Sequence, residues 1–191
     1  IYSTEVVGYA NRQIQYHFYS IIQNFIPVGD SVIEYGAGRG DFKTWHKITF
    51  NNDLDYIGIE KDKKLVDAGK EINGSDITLY HKDWKNISNS LKKDWCINIG
   101  AFNKTYNETD DQIEYVKDTI DSMMSHANKG VVISLTSDQF DLNENDIANG
   151  LHQYSAGEFL TWASKKYKLA AVDHVGAMSY GQFILIIYKE V

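Results

Sequence analysis

The sequence predicts an α/β fold: a doubly wound, mostly parallel seven-stranded sheet with an antiparallel C-terminal strand, in a three-layer α/β/α arrangement. Three observations predict it. Short apolar runs alternate along the chain with segments of helical period. A glycine turn joins the first of these runs to a helix. The last two runs are separated by a connection too short for a crossover helix, which makes them antiparallel partners. The 191 residues, 43% hydrophobic with 13 Tyr, 8 Phe and 4 Trp, read as one core-forming domain over residues 1–191.

Ile14, Phe18, Ile21, Ile22 and Phe25 fall at helical spacing and give an opening helix that ends at Pro27. Ser31–Glu34 then reads as a buried strand, and Asp55–Glu60 as the second. Between Asp62 and Ile72 lies a helix closed by Asn73-Gly74, followed by a third strand over Ile77–Tyr80 and a fourth over Trp95–Ile99. Thr109-Asp-Asp-Gln112 reads as a capping box opening a helix with Ile113, Val116, Ile120, Met123, Met124 and Ala127 on its apolar face. Val131–Leu135 is the fifth strand, Ser155-Ala-Gly-Glu158 a second capping box, and Leu169–Val172 with Phe183–Tyr188 the closing antiparallel pair.

The net charge of −7 argues against binding to a nucleic-acid backbone, which needs a basic patch or stripe. A single cysteine, Cys96, excludes a disulfide framework within the chain and reads as a small buried hydrophobe. The apolar runs are far shorter than the ~20 residues of a membrane helix, so a soluble, cytoplasmic protein is expected. The histidines show no H-x-x-x-H spacing and no metal site is expected. G-x-S-x-G is absent too.

Chemistry is expected beyond the carboxyl ends of the strands, where open parallel sheets bind ligands. The first strand runs into Glu34-Tyr35-Gly36-Ala37-Gly38-Arg39-Gly40-Asp41 and then a helix. Three glycines let the backbone bend tightly and approach a ligand with no Cβ in the way. A dinucleotide fingerprint would place its third glycine at 41, where the chain has Asp41, so a nicotinamide cofactor is disfavoured. The second strand ends in Glu60, suited to accept from both ribose hydroxyls of an adenosine.

An acidic residue followed by G-x-G-x-G after strand one resembles the first motif of class I S-adenosylmethionine-dependent methyltransferases, and the resemblance extends over roughly residues 30–188. It implies a Rossmann-like core there, a capping region over 1–28, and S-adenosyl-L-methionine held by Glu34, Tyr35, Gly36, Ala37, Gly38 and Gly40. It further implies Glu60 on the ribose, Asp83 on the adenine amino group, Trp84 beside the ring, and the segment Asn98–Asn103, with Gly100 and Phe102, beneath the methionine moiety and along the methyl-transfer centre. Lys61 departs from the family, whose members often place an apolar residue there against the adenine. Gly8–Gln15 with Phe18, Gly100–Asn103 and Gly181–Ile187 look like a small bacterial or phage subgroup with unassigned substrates, and imply that Tyr9 or Gln15 faces the cofactor.

The acceptor side is less marked. Asn98-Ile-Gly-Ala-Phe102 lacks both prolines of the [DNS]-P-P-[YFW] motif carried by DNA amino-group methyltransferases, which leaves a small molecule as the leading acceptor and RNA or a protein side chain as alternatives. Asn103, His152 and Tyr154 are the candidate acceptor-side catalytic residues, and the acidic stretch Ser137–Gly150, with Asp138, Asp141, Glu144 and Asp146, reads as a lid or a solvated loop. Methyl transfer from a sulfonium needs mainly positioning, so the want of an obvious base is tolerable. A non-catalytic methyltransferase-like binding subunit is the alternative from another class.

Overall fold

The structure, a computed structural model, describes residues 11–105, 111–144, 148, 150–174 and 181–189. Gly8, Tyr9, Thr109, Asp110 and Asp146, named above, and the first ten residues of the 1–28 region lie outside the described residues. The elements follow in order as α1 (Arg12–Gln23), β1 (Val32–Tyr35), α2 (Asp41–Phe50), β2 (Tyr56–Glu60), α3 (Lys63–Asn73), β3 (Leu79–His81), β4 (Lys93–Ile99), α4 (Gln112–His126), β5 (Ala127–Thr136), α5 (Ala156–Tyr167), β6 (Ala170–Asp173) and β7 (Gln182–Tyr188). They build a seven-stranded sheet in the order β3-β2-β1-β4-β5-β7-β6. β7 runs antiparallel to both neighbours, and the remaining pairings are parallel.

Strands buried on both faces account for the unbroken apolar runs. Along β7, Ile184 and Ile186 enter one core with Phe18, Ile22, Phe42 and Trp45 of α1 and α2. Phe183, Leu185 and Ile187 enter the other, with Val116, Ile120, Met123 and Phe159 of α4 and α5. The order places the reversal of strand direction of travel between β1 and β4, where the first crossover series turns back, and this is the crevice in which such sheets take ligands.

Four local expectations are corrected. The opening helix ends at Gln23 rather than at Pro27, because the Asn24 N–H closes onto Ser20 and Ile21 and the Gln23 amide donates to the Ile26 carbonyl at 2.7 Å. The third strand starts at Leu79 because Ile77 packs beneath the glycine loop instead, where a Cβ on Gly40 would lie 2.1 Å from its Cδ1. The cap of α4 is Asp111, whose carboxylate accepts from Ile113 and Glu114 N–H at 3.0 Å, while Gln112 donates to the Tyr154 hydroxyl. Ser155 holds the N-cap position of α5 without a side-chain capping bond.

Candidate active site

The carboxyl ends of four adjacent strands, β3, β2, β1 and β4, line a cleft enclosing roughly 490 Å³ of space open to solvent. In strand order its walls carry Lys82, Asp83 and Trp84 after β3, Ile59 and Glu60 on β2 with Lys61 just beyond, Tyr35 on β1 with Gly36 just beyond, and Asn98 on β4 with Ala101 and Phe102 in the turn that follows, with Tyr115 and Thr119 of α4 closing one side.

The glycine loop owes its path to backbone conformations that side-chain-bearing residues rarely adopt. Gly36, Gly38 and Gly40 have φ of 69°, 56° and 75°. The loop is pinned to β2 by Gly36 and Ala37 N–H groups, both donating to the Ile59 carbonyl. A Cβ at Gly36 would stand 2.3 Å from that of Ala101, so β1 and β4 approach there as closely as a glycine permits.

Glu60 is the hub of the cleft. One carboxylate oxygen accepts from Gly38 N–H at 2.9 Å and the other from Asp62 N–H at 2.8 Å, which fixes the side chain between the glycine loop and the start of α3. A carboxylate offers about four lone-pair positions, so two such bonds leave room for a pair of hydroxyl donors. Asp83, half-buried, accepts from Lys85 N–H at 3.0 Å and thereby caps the turn that carries Trp84. The Trp84 indole donates to the Tyr115 hydroxyl at 3.2 Å, with the Lys85 ammonium 5.4 Å from the indole centroid. That end of the cleft is therefore aromatic, with polar atoms at its edge.

Tyr35, Gly36, Glu60, Lys61, Asp83, Trp84 and Phe102, picked out by the sequence, all lie on the cleft walls. Gly38 reaches it through Glu60, and Gly40 starts α2 in the left-handed conformation. Ala37 is buried beneath the loop, and Gly100, at φ 80°, turns β4 into the segment bearing Ala101 and Phe102. Gln15 is fully buried beside the loop, where its amide donates to Asp41 and to the Tyr19 hydroxyl, each at 3.0 Å. Asp41 in turn pairs with the buried Arg39 at 2.7 Å, so α1 is tied to the first turn of α2.

Glu34 lies inside the protein, 4% exposed, and its carboxyl meets the Tyr56 hydroxyl at 2.5 Å. Burial, and secondarily the neighbouring Asp41 and Glu60, push it up to about 8 against the pull of the Tyr56 bond. The fold thus keeps the Glu34 proton at neutral pH, whereas the unfolded chain releases it near 4.5. Its stabilising contribution is full at acid pH and is lost as pH rises through that interval. Glu34→Gln, which fixes the neutral form, is expected to gain roughly 3 kcal/mol over the native protein between pH 5.5 and 8.5. Thermal melts of both proteins across that range check it.

The acceptor-side candidates stand elsewhere. Asn103 is buried, and its amide oxygen accepts from Thr136 N–H at 3.0 Å, tying the end of β4 to the end of β5. Tyr154, 1% exposed, donates to the Phe102 carbonyl at 2.6 Å, and burial raises its hydroxyl to about 12. His152 is half-buried with its ring against that of Tyr154, its backbone N–H donates to the Asn103 carbonyl, and burial lowers the pKa of the imidazole. None of the three is on the cleft walls; together they brace the segment that carries Phe102. The lining residues that sequence reasoning missed are Ile59, Lys82, Tyr115 and Thr119; Asn98 and Ala101 belong to the segment Asn98–Asn103 that the resemblance set beneath the methionine moiety. Asn98 also carried a signal of its own, a polar residue inside the apolar run Trp95–Ile99.

Among the described residues, no group of three or more His, Cys, Asp or Glu side chains is placed to hold a metal ion, and no helix is long and apolar enough to cross a membrane.

No family model matches the chain, and no curated protein matches it by sequence. Solved structures do match. The plantazolicin methyltransferase BpumL in complex with SAH aligns with a TM-score of 0.64 at 15% identity, over 92% of this chain and 82% of that one. The methyltransferase domain of bacterial CtHen1 aligns with a TM-score of 0.65 at 14% identity, over 92% and 98%. The chain has a methyltransferase fold. A possible exported protein of Bordetella parapertussis also aligns, with a TM-score of 0.67 at 13% identity over 94% and 68%, so the likeness is one of architecture.

Proposed function

We propose that this chain binds S-adenosyl-L-methionine and transfers its methyl group to a small-molecule acceptor, acting as a single cytoplasmic methyltransferase domain whose first 28 residues cap the cofactor. The observation that carries the reading is the order of groups along the cleft: Asp83 and Trp84, then Glu60, then Gly36 and Asn98, at the carboxyl ends of four successive strands. That order fits adenine, ribose and amino-acid tail in turn. The fit rests on the chain's own chemistry. Glu60 has acceptor capacity to spare for a vicinal diol, Trp84 and Tyr115 offer aromatic surface, and the bare backbone at Gly36 admits close approach. BpumL, which shares the fold, is in complex with SAH, and this supports the choice of cofactor.

When bound, the cofactor supplies an activated methyl carbon on a positively charged sulfur. Glu60, Asp83, Trp84 and the glycine loop would hold the group, which would present that carbon to an acceptor. The protein's work is to orient the two reactants and exclude water. The glycine loop and Glu60 fix the adenosine, and the Phe102 segment, braced by Asn103 and Tyr154, fixes the floor near the transferring carbon. The net charge of −7, with Asp138, Asp141 and Glu144 on the loop after β5, disfavours a strongly anionic acceptor and a nucleic-acid one.

The engagement of Asn103 and Tyr154 in the fold's own hydrogen bonds favours a second reading, a cofactor-binding subunit without turnover. Release of S-adenosylhomocysteine from S-adenosylmethionine, measured over a panel of small hydroxyl, amine and thiol acceptors, separates the two. Acceptor-dependent release supports methyl transfer; binding with no release across the panel supports the subunit.

A further inference from the structure

We infer that Gln15 is a positioning residue for the cofactor: through Asp41 and Arg39 it holds the path of the glycine loop, and so couples the docking of α1 to occupation of the cleft. The inference rests on the S-adenosyl reading above and adds to it a residue that acts without touching the ligand.

Gln15 is fully buried and lies off the cleft walls, and its amide nitrogen donates to Asp41 Oδ2 and to the Tyr19 hydroxyl, each at 3.0 Å. The same Asp41 oxygen accepts from Arg39 Nη2 at 2.7 Å. Arg39 is 1% exposed and stands between Gly38 and Gly40, both at positive φ. A buried ion pair contributes little net stability, because desolvation offsets the attraction, and apolar side chains of like volume would pack as well. What it supplies here is direction, since charge-assisted hydrogen bonds hold only over a narrow range of distance and angle.

The loop needs that direction. Glycine has no side chain to fix a turn, and Gly40 starts α2 without a side-chain cap. Beyond the start of the loop, which Gly36 and Ala37 tie to Ile59, two side-chain anchors hold it. Gly38 N–H on Glu60 holds it to β2, and Arg39 on Asp41, itself held by Gln15, holds it to α1. The first anchor is the carboxylate that the S-adenosyl reading assigns to the ribose. A shift of Arg39 therefore carries the neighbouring Gly38 N–H away from Glu60 and turns that carboxylate out of line. Coupling of this kind is reciprocal, so a ligand that fixes Glu60 also tightens the hold of the loop on α1.

The test is hydrogen exchange and calorimetric titration with S-adenosylhomocysteine on the native protein, Gln15→Leu and Gln23→Leu. The last removes a buried amide bond of the same helix, to the Ile26 carbonyl, away from the loop. In the native protein the ligand is expected to slow exchange in α1 as well as in the glycine loop. Gln15→Leu is expected to weaken binding about tenfold, the scale of one hydrogen bond to a charged group, and to lose the slowing in α1 while keeping it in the loop. Gln23→Leu is expected to lower the melting temperature and to bind within about twofold of the native protein, a pattern that a merely structural role for Gln15 would share. Exchange in α1 of the native protein that the ligand leaves unchanged overturns the inference, and that measurement needs no variant to fold. Native-like binding by Gln15→Leu, or a loss in Gln23→Leu as large as that in Gln15→Leu, overturns it too. Each of these leaves the S-adenosyl reading intact, whereas failure of the native protein to bind at millimolar ligand overturns that reading and the inference with it.

Discussion

Glu60→Ala is expected to lower affinity for S-adenosylhomocysteine by at least a hundredfold. The substitution removes two things at once. A diol seated on the carboxylate loses both acceptors, each bond to a charged group being worth about 1.5–3 kcal/mol. The Gly38 and Asp62 N–H groups lose the partners that now hold them at 2.9 and 2.8 Å, so the glycine loop is freed from the start of α3. Glu60→Gln is the milder change: it keeps the length of the side chain and one acceptor oxygen, but sets an amide NH2 against the N–H of Gly38 or Asp62. About a tenfold loss is expected there, with a melting temperature between those of the native protein and Glu60→Ala. Titration of the three proteins beside their thermal melts checks the order.

Gly36→Ala is expected to damage the fold and the cleft together. At φ 69° a non-glycine residue costs roughly 1–2 kcal/mol, and the new methyl would arrive 2.3 Å from the Ala101 Cβ, a short side chain on a braced segment with little freedom to yield. Overpacking of this kind adds roughly 1–3 kcal/mol. The double variant Gly36→Ala with Ala101→Gly restores the space without relieving the backbone, and is expected to recover about half of the lost stability. Recovery of all of it would mean that the backbone conformation at Gly36 carries no cost, and recovery of none would mean that the contact with Ala101 does not matter. Denaturant melts of the three proteins measure it.

These two residues were legible in the sequence because each sits at a strand end marked by its own chemistry. Gly36 follows an apolar run and begins a glycine-spaced turn, and Glu60 is the charged terminus of Tyr56–Glu60. The alternation of periods likewise carried the seven strands and the antiparallel close, since burial on both faces leaves a continuous apolar run for each.

What the sequence hid depended on partners far along the chain. Asn103 and Tyr154 have the residue types of catalytic groups, yet the Asn103 amide oxygen accepts from Thr136 N–H and the Tyr154 hydroxyl donates to the Phe102 carbonyl, 33 and 52 positions away. Glu34 belongs to the resembling motif, yet β1 turns it away from the cleft walls and onto Tyr56. Asn98 showed the reverse pattern. Its polarity was visible in an apolar strand, but only the sheet register and the direction of its amide reveal an acceptor without a donor. Tyr115 and Thr119 sit four apart on α4, beside the apolar stripe and not within it, so helical periodicity alone gave them no role.

The central claim is that the cleft across β3, β2, β1 and β4 is an adenosine site reading the whole S-adenosyl group. Calorimetric titration of the native protein with S-adenosylhomocysteine tests it most directly. The account predicts one saturable site per chain with micromolar affinity, lost in Glu60→Ala. No heat of binding at millimolar ligand, or binding that Glu60→Ala leaves unchanged, would contradict it.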